Sequence, residues 1–167
     1  GLRGQVRLQV DGQLKSGRDV ILMALLGAEE FSFGTAALIV LGCVMMRKCN
    51  LNTCPLGVTS QDPELRKHFI GKSDYLVNYF TFLAQEVREY LAEMGFTKLE
   101  DIVGHTELIE KKKPTSEKTA TLDFTRLLNK EANTCSLYHT INQPHDLDNV
   151  LDQQIIRAAQ RSIADKE

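Results

Sequence analysis

Gln5-Val6-Arg7-Leu8-Gln9-Val10-Asp11-Gly12 alternates apolar and polar side chains and then stops at Asp-Gly, the pattern of a short strand running into a turn. From Gly17 to Leu26 the apolar residues Val20, Ile21, Ala24 and Leu25 recur at helical spacing, and Gly27 stands where a C-cap is needed. A second strand is expected over Glu29 to Phe33. Strand, helix and strand in this order predict a βαβ unit with parallel strands and a right-handed crossover. The fold class is therefore α/β.

Working outward, Thr35 to Leu41 is apolar and Ala-rich and reads as a short buried helix that delivers the chain into a cysteine-bearing loop, kept irregular by Pro55 and Gly57. Ser73 is placed to cap the longest helix, in which Leu76, Phe80, Leu83, Val87, Tyr90 or Leu91, and Met94 form one packing face before Gly95 ends it. Lys98 to Val103 reads as a further helical turn or two before Gly104. From Glu110 to Lys118 charge, Pro and Ser dominate, a linker signature whose Lys111-Lys112-Lys113-Pro114 centre reads as a solvated surface run. Leu122 to Asn129 is expected to be a short helix. Asp148 to Ala164 is expected to be a longer one, with Leu151, Ile155, Ala158 or Ala159, and Ser162 or Ile163 facing inward. No internal repeat or low-complexity tract is present.

Composition narrows the function. At 167 residues, 43% hydrophobic and 25% charged, the chain has the make-up of one soluble globular domain. A net charge of -2 supplies no basic field for nucleic acid or an anionic membrane surface. The longest apolar run, Phe31 to Met46, is interrupted by Ser32, Gly34, Thr35 and Gly42 and falls short of the roughly 20 residues a span requires. Gly1-Leu2-Arg3-Gly4 has neither an initiator methionine nor a secretory pattern, so an internal cut and a cytoplasmic setting are expected. Four cysteines without an export signal read as thiols or metal ligands rather than a disulfide framework. Three of them crowd between positions 43 and 54. Cys135 stands apart and, with His139 and His145, is expected to be structural or exposed.

Two loops leave the carboxyl ends of the predicted strands, Asp11-Gly12-Gln13-Leu14-Lys15-Ser16-Gly17 and Phe33-Gly34-Thr35-Ala36. Ligands of parallel α/β folds bind at that edge, and glycine lets backbone N–H groups reach phosphate oxygens without an intervening side chain. Lys15 adds a charge. Ordinary turn chemistry accounts for the same residues.

The run from Gly42-Cys43 through Cys49 to Cys54-Pro55 separates the first cysteine pair by five residues and the second by four. Soft thiolates select iron-sulfur clusters or zinc. A cluster of three irons needs one protein ligand per iron and is satisfied by Cys43, Cys49 and Cys54. Zinc favours four ligands at closer, paired spacing and would need His68 or Cys135 to complete a set. Arg47, Lys48 and the amides of Asn50 and Asn52 are candidates to offset cluster charge and donate to sulfur. Three buried small hydrophobes that happen to cluster are the bland alternative.

These stretches occur together in a known order. Val10 to Val20, Leu26-Gly27-Ala28-Glu29-Glu30-Phe31, the Cys43 to Gly57 loop, Gln61-Asp62-Pro63-Glu64-Leu65-Arg66 and Glu86-Val87-Arg88-Glu89 resemble the glutamate synthase family, in the carboxy-terminal part of the FMN-binding synthase domain of its large subunit. The likeness covers roughly residues 2 to 109 closely. It implies an oxidoreductase built on a (β/α)8 TIM barrel, of which this sequence supplies the last two β/α units followed by a mostly helical extension. Residues 1–109 would belong to the synthase domain, including the iron-sulfur loop 42–57; 110–121 would be a linker, and 122–167 would lead into a following β-helix domain.

In that family a 3Fe-4S cluster passes electrons to FMN, which reduces 2-iminoglutarate formed from 2-oxoglutarate and glutamine-derived ammonia. The resemblance places the cluster on Cys43, Cys49 and Cys54. It places the FMN phosphate on the loops of Gly12, Gln13, Gly34 and Thr35, with Asp11 and Lys15 nearby. Many members have a second glycine where this chain has Gln13. The implied partners are the remainder of the large subunit and, as electron donor, an NADPH-type small subunit or ferredoxin. The 2-oxoglutarate site and the amidotransferase nucleophile are expected outside this sequence, so no catalytic residue is assigned.

Overall fold

The computed structural model describes residues 2–129, 136–142 and 144–165. Its centre is the expected βαβ unit: β1 (Gln9–Asp11), α1 (Gly17–Leu25) and β2 (Glu30–Ser32), with β1 and β2 parallel in the register Gln9 to Glu30, Val10 to Phe31 and Asp11 to Ser32. Both strands are shorter than their alternating patterns predict. A 3-10 turn takes up Arg3–Gln5, and Val6 and Leu8 stay exposed. Alternation specifies a strand only where a partner strand and a covering layer reach it, and among the described residues β1 pairs with β2 alone.

Local chemistry explains the ends of α1. The Ser16 hydroxyl accepts from the Asp19 N–H while the Asp19 carboxylate accepts from the Ser16 N–H, a reciprocal capping box. At the other end Gly27 adopts φ 109°, a left-handed conformation that glycine alone takes freely. The buried face of α1, with Ile21, Ala24 and Leu25, meets Leu91 and Ile102 in the core, and Ala24 and Ile102 are fully buried.

α2 (Thr35–Val40) is the short helix expected before the cysteine loop, but Ala36 is its only buried residue among those described, and Ile39 is exposed. Its apolar composition therefore reports an uncovered face rather than a buried helix. α3 (Pro63–Arg66) starts with Asp62 as N-cap, its carboxylate accepting from the Glu64 and Leu65 N–H groups.

α4 (Ser73–Glu93) is the longest helix. Its N-cap is Lys72 and not Ser73, which is already the first helical residue and makes no capping bond; Asp74 in the first turn meets the positive end of the helix instead. Leu91 is buried and Leu76, Leu83, Val87, Tyr90 and Met94 are half-buried as their spacing predicts, whereas Phe80, expected on the same face, is exposed; Gly95 ends the helix at φ 81°. The Lys98 to Val103 stretch is a 3-10 turn over Leu99–Ile102, closed by Gly104 at φ 76°.

Among the described residues three further helices follow, α5 (Glu117–Ala120), α6 (Thr125–Leu128) and α7 (Leu151–Asp165). The expected inward face of α7 is corrected: Leu151, Ile155, Ala158, Ser162 and Ile163 are exposed and Ala159 only half-buried. Residues 136–142 return to the βαβ unit, where the Thr140 and Ile141 N–H groups both donate to the Gly4 carbonyl and the His139 N–H donates to Glu29. His139 thus has a structural backbone role. Cys135 lies outside the described residues. No helix among the described residues is long and apolar enough to cross a membrane.

Candidate functional site

The parallel register brings the two glycine loops side by side, because Asp11 and Ser32 are paired and each loop leaves the same end of its strand. Gly12 and Gln13 have φ values of 95° and 61°. Glycine adopts this left-handed region freely, whereas a residue with a Cβ, such as Gln13, pays about 1–2 kcal/mol. A Cβ added at Gly12 or Gly34 would meet nothing within 4 Å, so both faces are open to a ligand.

Not every backbone donor in these loops is free. The Gly12 N–H donates to Asp11 Oδ1 at 2.6 Å, and the first amide of α1, that of Gly17, donates to Glu86 Oε2 of α4 at 2.6 Å. The amino end of α1 is therefore filled from within by Ser16, Asp19 and Glu86, and an anion at this edge falls to the loop amides and Lys15. Asp11 stands as the internal competitor for Gly12.

Asp19 is central to the first loop. Its carboxylate accepts from the N–H groups of Lys15 and Ser16 and from the Ser16 hydroxyl, at 2.9, 3.0 and 3.0 Å. Partial burial pushes its pKa up, but these hydrogen bonds together with the charge of Arg18 outweigh burial and hold it below the usual aspartate value.

The cysteine loop begins where α2 ends. Gly42, at φ 98°, turns the chain, and the Cys43 N–H returns to the Leu38 carbonyl at 2.9 Å. Met45, Arg47 and Asn52 also have positive φ, between 57° and 59°. Asn52 tolerates that region, and its carbonyl and side-chain oxygens accept from Ser60 Oγ and the Gln61 N–H, pinching the loop shut. Two further contacts brace it: His68 Nδ1 lies 3.1 Å from the Pro55 carbonyl, and a Cβ on Gly57 would collide with the Leu65 carbonyl.

The loop gathers all three cysteines around one cavity of about 110 Å³, with Arg47, Lys48 and Thr35 also in its wall. Cys43 and Cys54 are half-buried and Cys49 is exposed; all three are free thiols. The Cys43 sulfur accepts from the Met45 N–H at 3.4 Å. The Cys54 thiol is held below its ordinary pKa, first by hydrogen bonds from the Thr59 and Leu56 N–H groups, which outweigh the opposing effect of burial, and then by those of the Val58 N–H and the Thr59 hydroxyl.

This donor set bears on two cofactors. Among the described residues no three His, Cys, Asp or Glu side chains converge on a point that would hold a single metal ion. The three cysteines share one cavity wall, and sulfur is the donor type that a polynuclear cluster takes, one ligand per metal. His68 is not among the residues that line the cavity; its Nδ1 lies against the carbonyl of Pro55, which does line it. The open glycine loops suit the phosphate of a flavin mononucleotide, which needs backbone donors more than side chains.

Arg47 and Lys48 are where the sequence placed them, but the Asn50 and Asn52 amides are not in the cavity wall. The donors to sulfur that sequence reasoning missed are the Met45 amide at Cys43 and, at Cys54, the backbone amides at 56, 58 and 59 with the Thr59 hydroxyl. The only signal for the Cys54 set was the Pro55 and Gly57 turn that bends it back onto that sulfur.

A parallel βα scaffold whose second loop shares a wall with a three-thiol loop defines an α/β protein with a candidate metal-thiolate centre. A family model described as a conserved region in glutamate synthase matches residues 1–97, and the chain belongs to the glutamate synthase family. It is 47% identical over 166 residues to the glutamate synthase [NADPH] large chain of Bacillus subtilis and 44% identical over 162 residues to the glutamate synthase [NADH] of Schizosaccharomyces pombe, covering 98% and 95% of this chain. It is also 51% identical over 128 residues, 77% of the chain, to the ferredoxin-dependent glutamate synthase 1 of Arabidopsis thaliana. The match covers 11%, 8% and 8% of these relatives, so the chain spans about a tenth of their length.

Proposed function

We propose that this chain is the cofactor-bearing end of the synthase domain of a glutamate synthase: the last two β/α units of a (β/α)8 barrel over residues 1–109, a linker over 110–121, and a segment over 122–167 that leads into the next domain. Gly12, Gln13, Gly34 and Thr35, with Asp11 and Lys15 beside them, hold the phosphate of FMN. Cys43, Cys49 and Cys54 each ligate one iron of a 3Fe-4S cluster. When bound, these two groups supply the electrons that reduce 2-iminoglutarate, formed from 2-oxoglutarate and glutamine-derived ammonia, to L-glutamate.

The observation that carries this reading is that Thr35, from the second glycine loop, lines the same cavity as all three cysteines. The chain's own residues have defined tasks there. Amides at 56, 58 and 59 stabilise the Cys54 sulfur as a thiolate, and Arg47 and Lys48 offset the charge of the thiolate set. The paired ends of β1 and β2 keep the flavin loops in register with the thiolates, and Lys15 offers a cation to the phosphate. The electrons enter from an NADPH- or NADH-linked partner or from ferredoxin, the three donors that the relatives' names carry.

The test is anaerobic reconstitution of this chain and of Cys49→Ser with iron and sulfide, followed by metal analysis and electron paramagnetic resonance. About three irons per chain, one per thiolate, with the resonance of an oxidised three-iron cluster, lost in the variant, is the expected result. Stoichiometric zinc, or no metal in a folded chain, overturns it. The isolated chain is expected to show no synthase turnover.

A further inference from the structure

Lys15, the one cation of the first glycine loop, has both backbone groups held by side chains from different helices. Its N–H donates to Asp19 Oδ2 of α1 at 2.9 Å, and its carbonyl accepts from the Tyr79 hydroxyl of α4 at 2.9 Å, across 64 positions of sequence. Leu14 beside it is buried and anchors the loop, whereas the Lys15 side chain is exposed and forms no ion pair among the described residues. A surface loop with its backbone pinned at the residue that carries the charge is a preorganised one: the point from which the Lys15 side chain projects is fixed, and binding need not order that stretch of backbone.

The same turn of α4 reaches the second loop. Phe80 packs edge-on against Phe33, the residue before Gly34, with ring centroids 5.2 Å apart, and Tyr79 packs against Phe80 at 5.1 Å. Burial, and then the charges of Asp19 and Glu86, raise the Tyr79 pKa, so the phenol remains a protonated donor.

We propose that Tyr79 is a positioning residue for the flavin phosphate, acting with Asp19 as a two-sided clamp on the Lys15 backbone; this rests on the reading of the two loops as an FMN phosphate site. Tyr79 does not touch the ligand. Its effect runs through the loop, and it is therefore specific to the phosphate.

Riboflavin separates this role from ordinary packing, since it shares the ring system and ribityl chain of FMN and lacks the phosphate. The experiment uses the full-length enzyme stripped of flavin, as wild type, Tyr79→Phe, Lys15→Ala and the double variant, titrated with FMN and with riboflavin. Tyr79→Phe deletes one hydroxyl and keeps the ring. It is expected to weaken FMN about tenfold, the worth of about one hydrogen bond, and to leave riboflavin unchanged. In the Lys15→Ala background the same change is expected to add less than about threefold, because the two residues act as one unit. Unchanged FMN affinity, or equal weakening of both flavins, overturns the positioning role while leaving the flavin site standing. A wild-type enzyme that binds no FMN overturns the flavin site and this role with it.

Discussion

α4 and α7 are both helices with an apolar stripe, yet they end in opposite situations. α4 lays Val87, Tyr90, Leu91 and Met94 against the core that α1 and the Leu99–Ile102 turn share, and Leu91 is buried. α7 carries Leu151, Ile155 and Ile163 with relative exposures of 67%, 54% and 72%. Periodicity specifies that a helix forms and which face wants cover; it does not supply the cover. α4 finds its partner because α1 begins with Gly17, where a Cβ would come within 2.8 Å of Glu86 Cβ and the Val87 amide nitrogen, so the two helices meet backbone to backbone.

The comparison can be broken at its covered side first. Ile102→Ala removes a fully buried side chain from beneath α1 and is expected to cost about 3 kcal/mol in urea unfolding. A loss under about 1 kcal/mol would mean that this core collapses around the gap, and that the contrast with α7 is smaller than the packing indicates.

A smaller effect sharpens it at the start of α1. Asp19 has a lower pKa folded than unfolded, so its stabilisation is complete above the unfolded value, near pH 4, and is lost as pH falls through the folded value. Unfolding midpoints measured from pH 7 down to pH 3 should fall toward those of Asp19→Asn for the natural chain. Parallel curves would show that the capping box contributes nothing through its charge.

The smallest effect belongs to α7. Ile163→Ser is expected to change stability by less than about 0.5 kcal/mol, since the side chain is already in water. A loss of about 2 kcal/mol would show that α7 has a packing partner in solution, and the two helices would then be alike.

Much of the site was readable in advance, and the reason is local. A strand that stops at Asp-Gly, a Ser16 to Asp19 capping box, a Gly27 terminator and three cysteines in a dozen residues all express interactions between near neighbours in sequence, which residue type and spacing specify directly. Reading Ser73 as the cap places the helix start one residue too late and shows the limit of even local reading, because Ser73 and Asp74 both suit a helix start and only the backbone of Lys72 shows where the helix begins.

Tertiary structure decided the rest, because those interactions join residues far apart. Glu86 reaches the Gly17 amide and Tyr79 the Lys15 carbonyl across 69 and 64 positions. Thr35 shares a cavity with Cys54 because α2 and the Asn52–Ser60 clip fold the loop back. No spacing rule encodes which distant side chain claims a loop carbonyl, or which apolar face is left in water, since both depend on what the rest of the chain has already packed. The sequence by itself determined most of the elements and which donor residues the cysteine loop carries; the tertiary structure determined which of those elements are joined and how the loops are held.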